Sequence, residues 1–195
     1  MKIDLHVHTS ERSRCGRSPE KEQIEAAIAA GLDAIVITDH NVLMDDEHLR
    51  EINEQYAPFK IFGAVELTCV NNGCTDDVIV IGPRKPELLD EIYRQDYPLL
   101  HAYVKSQGGF LMLCHPFRYQ DFVSIDVLGF RPDAIEVRSV NIAPSTHKTI
   151  DKFVKKHKFK TYTNSDSHHY LNLGTFYNNI PSCKDERELA EVLKK

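Results

Sequence analysis

The sequence predicts a single α/β domain built on a parallel sheet or small barrel, and three observations carry that expectation. Short runs rich in Val, Ile and Phe alternate with longer amphipathic stretches, the mark of βα units. The chain has 195 residues, enough for one large core and too few for two comfortable ones. An eight-stranded barrel usually takes about 250 residues, so a smaller or incomplete barrel is expected.

Seven strands are expected, at residues 3–7, 34–38, 61–67, 78–81, 110–114, 134–137 and 159–163. The first helix has Ser18 as its cap, Pro19 in its first position, Glu20 and Glu22 at its positive end, and Gly31 beyond its last turn. Its Ile24, Ala27 and Ile28 should face the sheet. Further helices are expected at 45–55, at 86–107 with a break at Pro98, at 145–157 and at 185–194.

Hydrophobic residues make up 42% and charged residues 27%, which fits a folded globular chain and excludes a disordered or collagen-like one. No apolar run approaches the ~20 residues of a membrane helix, and the first residues lack a signal-peptide pattern, so a cytoplasmic location is expected. The five cysteines are odd in number, scattered and without a Cys-x-x-Cys pair, which fits neither a disulfide framework nor a structural zinc module. Cys114 reads as a core residue, and Cys15, among charges and Gly, as an exposed one. A net charge of −5 argues against nucleic acid as partner. The basic stretch 148–160 carries Ile150, Phe153 and Val154 on one side and reads as a solvated helix face.

The chemistry-bearing residues fall at the carboxyl ends of the expected strands, where α/β folds place their sites. His6 and His8 close the first strand, and its two-residue period turns both imidazoles to one side. Such a pair can chelate a metal. As ordinary barrel residues they would be poor core filler, because both ring nitrogens need partners. Asp166 and His168 share parity after the last strand, although a loop rich in Asn, Ser and Asp can also be a simple turn. His40 and His115 each follow an apolar strand directly, and Glu66 lies near the end of the third. Asp39 fits the role of orienting a ligand or loop. Arg118 is either an anion-binding fork or a surface residue.

Taken together, His6, His8, His40, Glu66, His115, Asp166 and His168 are expensive to gather in one cavity unless a cation holds them. Two divalent cations would outweigh the charges of Glu66 and Asp166, leaving a positive surplus suited to an anionic substrate such as a phosphate ester. Nitrogen and oxygen ligands fit Zn²⁺, Mn²⁺ or Fe²⁺ and not a pure Ca²⁺ site.

The ordered motifs His6-Val7-His8, Ile37-Thr38-Asp39-His40-Asn41, Gly63-Ala64-Val65-Glu66, His115-Pro116-Phe117-Arg118 and Asn164-Ser165-Asp166-Ser167-His168, followed by Gly174, resemble those of the PHP family. This is the polymerase and histidinol phosphatase domain, and the resemblance spans nearly the whole chain. It implies one domain over 1–195, a distorted (β/α)7 barrel, and two or three metal ions that hydrolyse phosphoesters. It also implies that His6, His8, Glu66 and Asp166 hold one metal, His40 and His168 a second, and Glu66 with His115 a third.

The chain departs from the fullest family pattern twice. In the loop from Thr9 to Gly16, where many relatives supply a His or Asp, Glu11 and Cys15 are the candidate substitutes and Arg14 is not one. Ile79 stands where relatives place a His for the third metal, which favours one or two tightly held ions over three. Arg12, Arg14 and Arg17 could trade the missing ligand for phosphate contacts. Glu136 and Arg138 could line the cavity or form a local ion pair.

The expected function is hydrolysis of a small-molecule phosphoester by a metal-activated water. Arg14, Arg17, Arg118 and Arg138 would bind substrate or stabilise developing charge, and Asp166 or His168 would handle the proton. Two alternatives remain open: hydrolysis of an amide or carbon ester, and a non-catalytic metal-binding or regulatory domain.

Overall fold

The computed structural model describes residues 1–195. It holds two sheets. The first runs β3 (Lys60–Gly63), β2 (Ala34–Ile37), β1 (Lys2–Val7) and β9 (Asn178–Asn179), parallel except for β9. The second runs β4 (Val65–Asn71), β5 (Cys74–Ile81), β6 (Phe110–Leu113), β7 (Ala134–Arg138) and β8 (Thr161–Thr163). Its β4, β5 and β6 are mutually antiparallel, while β6, β7 and β8 run parallel.

The expected continuous barrel is not closed. Between the two sheets strand pairing is reduced to isolated bridges, Val7 with Ser167 and His40 with Glu66. At these seams the backbone turns to deliver site residues instead of extending a ladder: Asn41 and Asp166 both adopt left-handed φ, 55° and 52°. The strand expected at 61–67 is accordingly divided at Ala64, with β3 in one sheet and β4 in the other. The strand expected at 78–81 is longer, because Asn72-Gly73 forms a tight hairpin with both residues at positive φ, pairing Asn71 with Cys74.

Helices α1 (Glu20–Ala29), α2 (Asp46–Gln55), α3 (Glu91–Gln95), α4 (Tyr97–Ser106), α5 (His147–His157) and α6 (Glu186–Lys194) cover the sheets. None is long and apolar enough to cross a membrane. Two expectations need correction. Ser18 does not cap α1, since its hydroxyl accepts from the Tyr170 backbone N–H, and Ile28 is exposed while Ile24 and Ala27 are buried. Pro98 does not break the 86–107 segment: the break falls at Asp96, which caps α4 through Leu99 N–H, and Pro98 sits in the first turn where its missing donor costs nothing.

Residues of both sheets, including Leu5, Val36, Phe62, Ile79, Ile81, Phe110 and Met112, pack with Leu189 and Leu193 of α6 into an inner core. Ile35, Ile37 and Val7 pack outward with Ile24 and Ile52, and Leu67, Val80 and Leu111 pack with Leu100 and Val104 of α4. Each such fully buried side chain contributes about 1.5–3 kcal/mol of transfer free energy. Leu5 thus faces inward and Val7 outward, a change of parity that coincides with the slip in β1–β2 pairing between Asp4 and Val7. This rigid frame presents the end of β1 to the space between the seams.

Candidate metal centre

Four ligand atoms converge at the end of β1. His6 Nε2 and His8 Nε2 lie 3.0 Å apart, and each is 3.1 Å from Glu66 Oε2. Asp166 Oδ1 is 3.3 Å from His6 Nε2 and 3.4 Å from His8 Nε2. All four side chains are fully buried, and Asp166 Oδ1 has no hydrogen-bond donor. A divalent ion bound at roughly 2.0–2.2 Å from N and O ligands would give edges of this size. Two imidazole nitrogens aimed at each other, beside an orphaned carboxylate oxygen, are costly without a shared cation. The donor set therefore fits a divalent metal.

The other expected residues flank this set. His40 and His168 both pack against the His8 ring, with ring centroids 4.7 and 4.4 Å from it. His40 Nε2 also lies 3.3 Å from Glu66 Oε2, while its Nδ1 is buried and unpartnered. His115 Nε2 approaches the other Glu66 oxygen at 3.1 Å. His115 and Asp166 are held at positive φ, 24° and 52°, strain of roughly 1–3 kcal/mol each that the surrounding structure supports.

The buried frame sets tautomers. His6 Nδ1 meets Glu136 Oε1 at 3.0 Å, so the ring donates there and keeps its Nε2 lone pair for the centre. Glu136 also accepts from Asn164 Nδ2 and from the His115 backbone N–H. His168 Nδ1 donates to the Asp166 carbonyl at 3.0 Å, which leaves its Nε2 free. Asp39 accepts from Thr9 N–H, Thr9 Oγ1 and Arg12 Nε, and so ties down the loop after His8, the orienting role its position predicts.

Charge in the centre follows this geometry. Burial opposes protonation of His6, but Asp166, Glu66 and Glu136 overcome it and raise its pKa well above the ordinary value. His8 behaves likewise and is raised to about 9 by Asp166 and Glu66 against burial. His168 is lowered to about 4 by burial and by His8. Glu66 is held well below the usual carboxylate range despite burial, chiefly by His6. Protons on His6 and His8 thus stand where a cation would stand.

The arginines divide. Arg14, Arg17 and Arg118 line a cavity of about 480 Å³ together with Cys15, Asn141 and His168, and Arg118 Nη1 lies 3.4 Å from Asp166 Oδ2. Arg12 is drawn away to Asp39 and Glu20. Arg138 is pinned by both oxygens of Asp151 at 2.9 Å, outside that cavity and without contact to Glu136, so the ion pair considered from sequence does not form.

One contributor escapes the sequence reading. Asp77 is buried within ligand distance of His40 and Glu66, 3.8 Å from His115 Nε2, with one oxygen unpartnered and the other accepting from Tyr119 OH at 2.8 Å. Its signal was parity with Ile79, obscured because the strand was expected to begin at Val78. Glu136, one of the residues considered for the cavity, does enter the centre, and its partners His6 and His115 come from distant segments.

The model of the PHP domain family matches residues 4–191. No curated protein matches significantly. Among solved structures, a proposed metal-dependent phosphoesterase from Bifidobacterium adolescentis is 14% identical with a TM-score of 0.67, covering 98% of this chain and 95% of its own. PsfC from Pseudomonas syringae is 22% identical with a TM-score of 0.62, covering 89% and 78%. An amidohydrolase from Chromobacterium violaceum, holding sulfate and no metal, is 15% identical with a TM-score of 0.67, covering 99% and 97%. With the ordered motifs converging on one centre and the family model matching almost end to end, the chain belongs to the PHP domain family.

Proposed function

We propose that the chain is a metal-dependent hydrolase of a small-molecule phosphoester, acting as one PHP domain over 1–195 whose two sheets are the halves of a distorted (β/α)7 barrel. His6, His8, Glu66 and Asp166 hold the first divalent ion, with His40 and His168 toward a second and His115 beside Glu66. Zinc, manganese and iron all suit these nitrogen and oxygen donors. Such ions supply Lewis acidity and an acidified water.

The observation that carries the reading is the cavity where Arg14, Arg17 and Arg118 face His168 beside the four-atom set. Three guanidinium groups next to a metal centre favour an anionic substrate over a neutral amide. Arg118 orients the anion and balances charge that develops beside Asp166. His168 donates its Nδ1 proton to the Asp166 carbonyl and keeps its single Nε2 lone pair for the second ion. Arg138, held by Asp151, has no part in this chemistry.

The test is metal analysis of the purified protein, then a panel of phosphomonoesters, phosphodiesters, amides and carboxylic esters after Zn²⁺, Mn²⁺ or Fe²⁺ reconstitution. Turnover confined to phosphoesters supports the proposal. Turnover of amides alone replaces it with the amidohydrolase alternative, and stoichiometric metal without any turnover leaves a binding or regulatory domain.

A further inference from the structure

We propose that Cys15 is a thiolate ligand of the second cation, completing the incomplete pair His40 and His168 and giving that position a preference for zinc-class over manganese-class ions. The inference rests on the metal-dependent reading above. Cys15 Sγ and one ring nitrogen each of His8, His40 and His168 lie within 4.8 Å of one another. A tetrahedral ion with a metal–sulfur bond near 2.3 Å and metal–nitrogen bonds near 2.0 Å needs sulfur-to-nitrogen edges of roughly 3.5 Å. Closing that gap takes movement on the order of 1 Å, within reach of a rotamer change at an exposed side chain.

One ring of the cluster also has an unsatisfied nitrogen. His40 Nδ1 is buried without a partner, although His40 itself sits at the cavity's edge. Glu11, the other candidate in the loop, is excluded by its contacts: both of its oxygens accept from Glu20 N–H at the start of α1, 3.0 and 3.1 Å away.

The loop is built to hold Cys15 over the imidazoles. Gly16 passes so close to Thr9 that an added Cβ would lie 2.5 Å from the Thr9 carbonyl, and Gly16 N–H donates to Ser13 O. Arg17 N–H donates to His168 O at 2.7 Å, tying the Cys15 loop directly to the His168 loop. Ser13 Oγ accepts from the His40 backbone N–H and lies 3.3 Å from His8 Nδ1, so the same loop holds the His8 ring and the His40 backbone. Cys15 is the one exposed cysteine, and it lines both the arginine cavity and the opening above His40. Thiolate is a soft ligand and favours zinc or cobalt over manganese or magnesium.

Metal-stripped full-length protein titrated with Co²⁺ tests this. The expected result is a thiolate-to-cobalt charge-transfer band in the near ultraviolet that appears with the second equivalent. Cys15→Ser should lose the band and that equivalent while keeping the first, and its zinc-over-manganese preference should fall about tenfold or more. Cys15→His should restore the second equivalent without the band. Iodoacetamide should label Cys15 in the stripped protein and not in the cobalt-loaded one. Two cobalt ions bound without a band, or a band that survives in Cys15→Ser, overturns the thiolate ligand and leaves the hydrolase reading standing. Failure to bind cobalt at all overturns both.

Discussion

His6 and Glu136 are bound side chain to side chain, Nδ1 to Oε1 at 3.0 Å, in a fully buried contact that joins the first strand to β7. Glu136 touches none of the four converging atoms, yet it decides which nitrogen of His6 faces them. It also accepts from His115 N–H at 3.1 Å and so reaches both sides of Glu66.

Glu136→Gln should therefore weaken metal binding without abolishing the fold. The amide oxygen can replace only one of the two carboxylate oxygens, the one facing His6 and Asn164 or the one facing His115 N–H, and the carboxylate that makes His6 basic is gone. Partners of metal-bound imidazoles are typically worth 10–100-fold in affinity. Competition with a chromophoric chelator measures the loss, and unchanged affinity would show that Glu136 is only structural.

His8→Ala and Asp166→Ala should each abolish metal retention at the first position and turnover of a generic phosphomonoester together. Each removes one of four side chains whose spacings to or between the two imidazoles run from 3.0 to 3.4 Å. Metal content by elemental analysis and activity should fall in step. Full activity in either variant sinks the proposed mechanism.

Much of this centre is legible in the sequence because strand ends and parity are local properties. His6, His8, Glu66, Asp166 and the flanking histidines all meet where the strand-end rule puts them. What is not legible depends on how distant segments meet. Asp77 enters the site because the Asn72-Gly73 turn extends β5 backward, and an Asn-Gly pair between apolar runs was a usable but unread hairpin signal. Arg138 and Arg14 look alike in sequence, and only the position of Asp151 on α5 separates them. The open seams follow from left-handed residues that no periodicity reports.

Arg118→Ala should raise KM for a phosphoester about tenfold to a hundredfold, the loss of one charge-assisted contact of roughly 1.5–3 kcal/mol. Arg118 is partly exposed in the cavity, 3.4 Å from Asp166. Arg138→Ala, which breaks a contact with Asp151, should leave KM unchanged. Steady-state kinetics on both variants checks the contrast.

The metal-free protein should be most stable near neutral pH and lose stability on the alkaline side. His8 is raised from 6.5 to about 9, so its contribution is fully present below 6.5 and is lost as pH rises through 9. The shift corresponds to something on the order of 3 kcal/mol. His168, lowered to about 4, binds fewer protons folded than unfolded between 4 and 6.5, so stability rises with pH across that window. Zn²⁺ should flatten the alkaline fall, because the cation replaces the protons, and binding should release protons in a weakly buffered solution. A stripped protein whose denaturation midpoint is the same at pH 6.5 and 9 contradicts the assignment.

Asp77→Asn should cost one bound ion when the protein is saturated with Mn²⁺. Asp77 is 1% exposed, its Oδ1 has no donor, and its Oδ2 lies 3.8 Å from His115 Nε2. Together with Glu66 it offers a mostly oxygen-lined position, which suits a harder cation than the one beside Cys15. The carboxylate lies two residues before Ile79 on β5, on the same face of the strand. An amide keeps the shape and the Tyr119 contact but removes the charge, so the Mn²⁺ count should fall by one while thermal unfolding of the metal-free protein changes little. The same Mn²⁺ count in the variant and the parent would confine Asp77 to a structural bond with Tyr119 and return the site to one or two ions.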